Sequence, residues 1–209
     1  IKKAVNISKA IVNNGLTKAS IRKDTPEHDA YTNQVKPLID DYKKEFGGKS
    51  PNLFLKSILE VIVDEYGFDE NYEIRNFKYW GRILQPYVWA CISLKDNKDR
   101  GNPASYSPQL YLLIDDKYIR YGFCYGDYLK IDDIFVKSVV EDDHLPQKAM
   151  HIVNVNSSFD FYAVDNEGVI EIPRDKIEVS SYQDLKNHWG AGFHISGHIT
   201  PDKLTSNSV

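Results

Sequence analysis

Over the first seventy residues the apolar positions recur every three to four residues, and small breaker residues punctuate them. Val5, Ile7, Ile11 and Val12 trace one face and stop at Asn14-Gly15, which predicts a short amphipathic helix ended by glycine. Thr25-Pro26-Glu27-His28 sets a capping residue before a proline at the first helical position. Val35, Leu38, Ile39, Tyr42 and Phe46 follow at helical spacing as far as Gly47-Gly48, with Pro37 inside the run predicting a kink or a delayed start. Ser50-Pro51 repeats the start signal, and an apolar-rich helix over 53–66 closes at Gly67.

From residue 72 the period shortens toward two, in runs rich in aromatic and β-branched residues bounded by Gly, Pro and Asn. The predicted strands are 72–79, 88–94, 109–114, 118–125, 151–154, 161–164 and 170–172, with a hairpin across Asp115-Asp116-Lys117. The stretch 129–140 suits helix or strand alike. Residues 181–189 read as a helix opening at Ser180-Ser181, followed by the loop Gly190-Ala191-Gly192. Helices first and strands afterwards, without alternation, point to an α+β fold. We therefore expect a helical N-terminal segment (1–70) packing on the core and an α+β recognition core (71–200). That core is expected to hold a mostly antiparallel, strongly curved sheet and a C-terminal helix, with 201–209 as a tail or linker.

The 209 residues suit one domain of ordinary size. No run of eighteen apolar residues and no cleavable apolar leader occurs, so a cytoplasmic protein without a membrane partner is expected. Ile1 in place of Met and the polar, patternless 205–209 suggest a piece of a longer polypeptide. Cys91 and Cys124 sit in apolar, strand-like surroundings that suit buried thiols better than a disulfide. Net charge is −4, yet residues 1–23 carry +6 and residues 74–100 carry +4. Such segments are either solvated faces or phosphate contacts, because local potential, not net charge, tracks a nucleic-acid backbone.

The second basic segment coincides with the densest aromatic cluster: Phe77, Tyr79, Trp80, Tyr87 and Trp89 interleave with Arg75, Lys78 and Arg82, and Lys98 and Arg100 follow. Aromatics that stack bases beside cations that hold phosphates are what a nucleic-acid site needs, although aromatics at strand spacing are commonly core. Trp80 stands apart, because Gly81 lets the backbone turn there and Arg82 is adjacent, so the indole is expected on an exposed loop. On that reading its truncation would leave stability unchanged.

These elements run as Trp80-Gly81, then Pro86-Tyr87-Val88-Trp89-Ala90-Cys91-Ile92, then Tyr106-Ser107-Pro108-Gln109-Leu110-Tyr111-Leu112, then Tyr121-Gly122 or Tyr125-Gly126. In order and spacing this stretch of about fifty residues resembles the N-terminal DNA-binding domain of the McrB family, the GTP-dependent restriction subunits that recognise modified cytosine. It departs from the family pattern where Val88 stands directly before the tryptophan and where Ser107 displaces Tyr106 from Pro108. The resemblance implies a module that extrudes the target base of duplex DNA into an aromatic pocket while a wedge fills the gap. It places Trp80 or Tyr79 at the wedge, and makes Trp89, Tyr106, Tyr111 and Tyr121 the pocket candidates. Arg75, Lys78, Arg82, Lys98 and Arg100 complete the expected DNA-binding set. It also implies partners, namely a fused or associated AAA+ GTPase motor and a nuclease subunit, with no catalysis, cofactor or metal in this chain.

Rival readings rest on less. His188, His194 and His198 could ligate zinc, but the glycine-rich loop breaks any helix that would gather them and no carboxylate accompanies them at motif spacing. A metal-dependent restriction or repair endonuclease is the alternative function, for which Asp115-Asp116-Lys117 and residues 171–176 supply acids and a lysine. The first of these reads as a plain hairpin tip. Gly47-Gly48-Lys49-Ser50 lacks the upstream glycine and strand of a phosphate-binding loop, and is expected to be a helix-to-helix turn. A protein-interaction domain using the same aromatics is a third possibility.

Overall fold

A computed structural model describes residues 1–16, 25–68, 70–76, 80, 84–95, 108–125, 151, 155, 159–165, 168–172 and 192–203. Helix α1 (Lys2–Asn13) buries Ala4, Val5, Ile7, Ser8 and Ile11 on one face, and Gly15 follows it at φ +60°. Val12 shares the apolar run but lies off that face and is exposed. Helix α2 (Pro26–Ala30) opens with proline and passes through one π turn at Tyr31–Val35 into α3 (Lys36–Glu45). That wide turn is the local answer to Pro37, which has no N–H to donate and whose ring crowds the carbonyl one turn back. Gly47 and Gly48, both at positive φ, make the turn into α4 (Pro51–Tyr66), as the sequence led us to expect. Gly67 caps α4 in the left-handed region at φ 65°, ψ 41°, and the Phe68 N–H returns to the Val63 carbonyl at 3.2 Å.

Among the described residues seven strands follow: β1 (Tyr72–Asn76), β2 (Val88–Leu94), β3 (Pro108–Ile114), β4 (Ile119–Tyr125), β5 (Phe159–Asp165), β6 (Gly168–Ile172) and β7 (Gly192–Ile199). They form one sheet in the order β1-β2-β3-β4-β7-β5-β6, every neighbouring pair antiparallel. The α+β class is therefore correct. Two expectations need correcting. Among the described residues the sheet is open, with β1 and β6 as its edges, and it lacks the strong curl expected of it. His151 has helical backbone, which removes the start of the strand expected at 151–154. The stretches 129–140 and 181–189 lie outside the described residues.

The pleat sorts β2 into two faces. Val88, Ala90 and Ile92 join the core built with α1, α3 and α4, together with Ile114 of β3 and Ile119 of β4. That core holds Ile7, Ile11, Ile39, Leu55 and Leu59 at 2 % exposure or less, each stabilising the fold by about 1.5–3 kcal/mol through transfer from water. The alternate residues Trp89, Cys91 and Ser93 face the other side, where Cys91, Tyr111 and Cys124 form a second cluster. Both faces of β2 are thus occupied, which is why the strand reads as a nearly continuous apolar run instead of an alternation.

Candidate functional site

The second face of the sheet is where aromatic, polar and cationic groups meet. One row of the register runs Arg75, Cys91, Tyr111, Gly122, Ser196 across β1, β2, β3, β4 and β7. Gly122 offers no side chain, so the Tyr111 phenol crosses β4 and donates its hydroxyl proton to Ser196 Oγ on β7 at 2.8 Å. Trp89 and Leu113, opposite each other on β2 and β3, pack against the same cluster. At the edge, Arg75 Nε donates to Ser93 Oγ at 3.0 Å and its guanidinium pairs with Glu73. Ser93, Gln109 and Ser196 are all buried at 3 % exposure or less, so the face is polar and yet withdrawn from water.

Cys91 shows what that withdrawal does. Burial pushes its thiol up to about 12, against the opposing pull of Arg75 and a Ser93 hydrogen bond. The thiolate is the nucleophile, so a thiol held protonated this far above neutral pH is a poor one. In the unfolded chain this thiol ionises near its ordinary value of 9.0, while the folded protein holds its proton up to about 12. The unfolded state therefore binds fewer protons than the native state in that window, and stability should fall as pH rises from about 9 toward 12. Native protein at pH 8 should resist thiol reagents at Cys91 and react once unfolded in urea. Stoichiometric labelling of the native chain at this residue would contradict the burial.

The structure distributes the expected site residues unevenly. Trp89 and Tyr111 do share a face. Tyr121 does not, for it opposes Leu112 and Gly197, and its ring lies over Gly197 and meets Phe159 edge-on at 5.7 Å. It therefore cannot line one pocket wall with Tyr111. Lys78, Tyr79, Arg82, Lys98, Arg100 and Tyr106 lie outside the described residues. Trp80 occupies a bend at φ 66°, in keeping with a turn beside Gly81, but its exposure is only 3 %. Its ring packs edge-on against Tyr42 of α3 at 5.7 Å and belongs to the main core. The expected exposed loop is overturned, and with it the ground for casting this indole as the wedge.

The basic segments are also partly committed. Lys3 reaches Asp41 at 2.7 Å and pairs with Glu45, so that α1 is tied to α3 and the Asp41 carboxyl is held below its ordinary range. Arg75 is engaged by Glu73, whereas Lys2 and Lys9 are exposed. At the hairpin, Asp115 accepts the N–H groups of Lys117 and Tyr118, both at 2.7 Å, and its second oxygen takes Arg120 Nε at 2.7 Å. This carboxylate organises a turn, as the plain-hairpin reading had it. His194 and His198 stand on β7, opposite Cys124 and Arg120. The glycine-rich opening of that strand concealed it from pattern reading, and Ser196 was missed with it. The signal was present in the alternation of Phe193, Ile195 and Ile199 with His194, Ser196 and His198. Among the described residues no group of three or more His, Cys, Asp or Glu could hold a metal, and no helix is long and apolar enough to cross a membrane. Neither a family model nor a curated protein nor a solved structure matches this chain.

Proposed function

We propose that this chain is the DNA-binding specificity module of a prokaryotic restriction system, reading a modified, methylated cytosine in duplex DNA by turning the base out of its stack. The observation that carries the reading is the shared face of Trp89 and Tyr111 on the paired strands β2 and β3, with Arg75 in the Tyr111 row. These are the strands on which the sequence resemblance puts the base pocket. A flipped base is held by aromatic faces and by hydrogen bonds to its edge, and extrusion costs a few kcal/mol of lost stacking. With Trp80 in the core, the wedge passes to Tyr79, its neighbour in the chain. Lys78, Arg82, Lys98 and Arg100 supply phosphate contacts, while cleavage belongs to a GTPase motor and a nuclease outside this sequence.

The test is fluorescence anisotropy with two duplexes of one sequence, differing only in methylation of a cytosine, at two salt concentrations. Methylated duplex should bind about tenfold or more tightly, the scale of one good base contact, and affinity for both should fall steeply with salt. Reversing the charges of Arg82 and Arg100 should weaken binding to both duplexes alike. Equal affinity for the two duplexes, or binding indifferent to salt, would overturn the proposal. Cleavage of plasmid in magnesium by the chain alone would replace it with the nuclease reading.

A further inference from the structure

One face of α4 is apolar and has no cover among the described residues. Phe54, Ile58 and Val61 recur at helical spacing with exposures of 37 %, 37 % and 61 %, next to the buried stripe of Leu55 and Leu59. Toward the C-terminal end, Ile62 and Tyr66 lead into an open apolar hollow of about 460 Å³, completed by Phe68, Tyr72 and Leu110. The charges of α4 are reversed relative to its dipole. Its first turn has no acid and its last turn no base, while Asp64 and Glu65 sit at the C-terminal end. Acids there face the negative pole of their own helix, an unfavourable arrangement within a single chain.

We propose that this face binds a second copy of the chain, α4 against α4 in antiparallel fashion about a two-fold axis through Ile58. With Ile58 meeting itself, helical register sets Phe54 of the second copy opposite Ile62, at the mouth of the hollow. Glu65, which lies on the same stripe as Phe54, Ile58 and Val61, then falls beside the N-terminal turn of the second α4, where the pole is positive and Lys49 is near in sequence. Each copy thus supplies the acid that the other's helix start lacks. The contact is isologous and closes at two copies. A single helix face with one aromatic knob is a small interface, so association is reversible and in the micromolar range.

Sedimentation velocity of the full chain over a range of concentrations tests this. Wild type should pass from monomer to dimer, and Val61→Glu should remain monomeric, with unchanged melting at a concentration where wild type is also monomeric, because the residue is exposed. Glu65→Lys should act oppositely on the two readouts. It should weaken association by roughly tenfold or more, yet melt no lower at a concentration where wild type is monomeric, since a base suits the C-terminal end of its own helix. Ile58→Cys should form a disulfide-linked dimer on mild oxidation, because the native thiols of Cys91 and Cys124 are buried. A wild type that stays monomeric throughout, a Val61→Glu protein that still dimerises, or an Ile58→Cys protein that does not cross-link would each overturn the proposal. None of these outcomes depends on DNA, so this inference and the proposed function stand or fall separately.

Discussion

Truncation of Trp80 to alanine is expected to destabilise the protein by about 3–5 kcal/mol, the usual cost of removing a buried aromatic side chain. The indole is 3 % exposed, belongs to the main core and packs edge-on against Tyr42 of α3, so its removal leaves a space beside that helix. In a domain of this size each kcal/mol lowers the melting temperature by roughly 2–4 °C, so the melt should fall by about 6–20 °C. The backbone offers a second handle. Trp80 is the non-glycine residue held at positive φ among those described, a conformation that costs an L-residue about 1–3 kcal/mol. Trp80→Gly opens the same cavity but releases that strain, so it should be more stable than Trp80→Ala by about 1 kcal/mol. Trp80→Phe keeps an edge-on partner for Tyr42 and removes the buried Nε1–H, which has no hydrogen-bond acceptor among the described residues, so it should lose much less than either. Differential scanning calorimetry of the three variants decides the matter. A Trp80→Ala protein that melts within a degree or two of wild type would return the residue to an exposed position.

Gly122→Ala is expected to damage the sheet severely, and more than the same change at Gly197. A Cβ at this position would fall far inside contact distance of the Ile195 carbonyl oxygen, and it would also meet the Ile195 carbonyl carbon and Ser196 Cα at 3.0 Å. All three are backbone atoms of β7, so relief requires β4 and β7 to move apart, not a side chain to turn. That separation would strain the Tyr111 hydroxyl bond to Ser196, whose 2.8 Å length depends on the same spacing. Overpacking of this kind costs about 1–3 kcal/mol, and strand separation can add to it. Gly197→Ala is the comparison. There the nearest atoms are Cζ and the hydroxyl of Tyr121 at 2.5 and 2.6 Å, the far end of a side chain that can swing aside. Urea titration should therefore rank the variants wild type, Gly197→Ala, Gly122→Ala in falling midpoint. A Gly122→Ala protein as stable as Gly197→Ala would mean that the two strands do not approach each other as described.

What the sequence alone settled here was local. The stops at Gly15 and Gly67, the proline starts of α2 and α4, the strand at Val88–Leu94 and the Asp115 hairpin were all legible. Each depends on residues no more than a few positions apart: a missing N–H, a left-handed glycine, a carboxylate bonding the N–H groups two and three residues on. The turn at Trp80 was legible for the same reason. Its burial was not, because Tyr42, against which it packs, comes from α3 some forty residues earlier, and nothing in Tyr79-Trp80-Gly81-Arg82 encodes that position.

Tertiary structure also decided which aromatics belong together. Tyr111 and Tyr121 look alike as strand tyrosines, yet Tyr111 opposes Gly122 and Tyr121 opposes Leu112, and since side chains alternate with a period of two the rings lie on opposite faces. A register one residue different would have reversed that outcome. The place of β7 between β4 and β5, which brings Ser196 to Tyr111, is likewise a matter of strand order, set by long-range pairing that no local pattern contains. Periodicity announces that a strand exists and which of its residues alternate; only the neighbour it pairs with determines what those residues face.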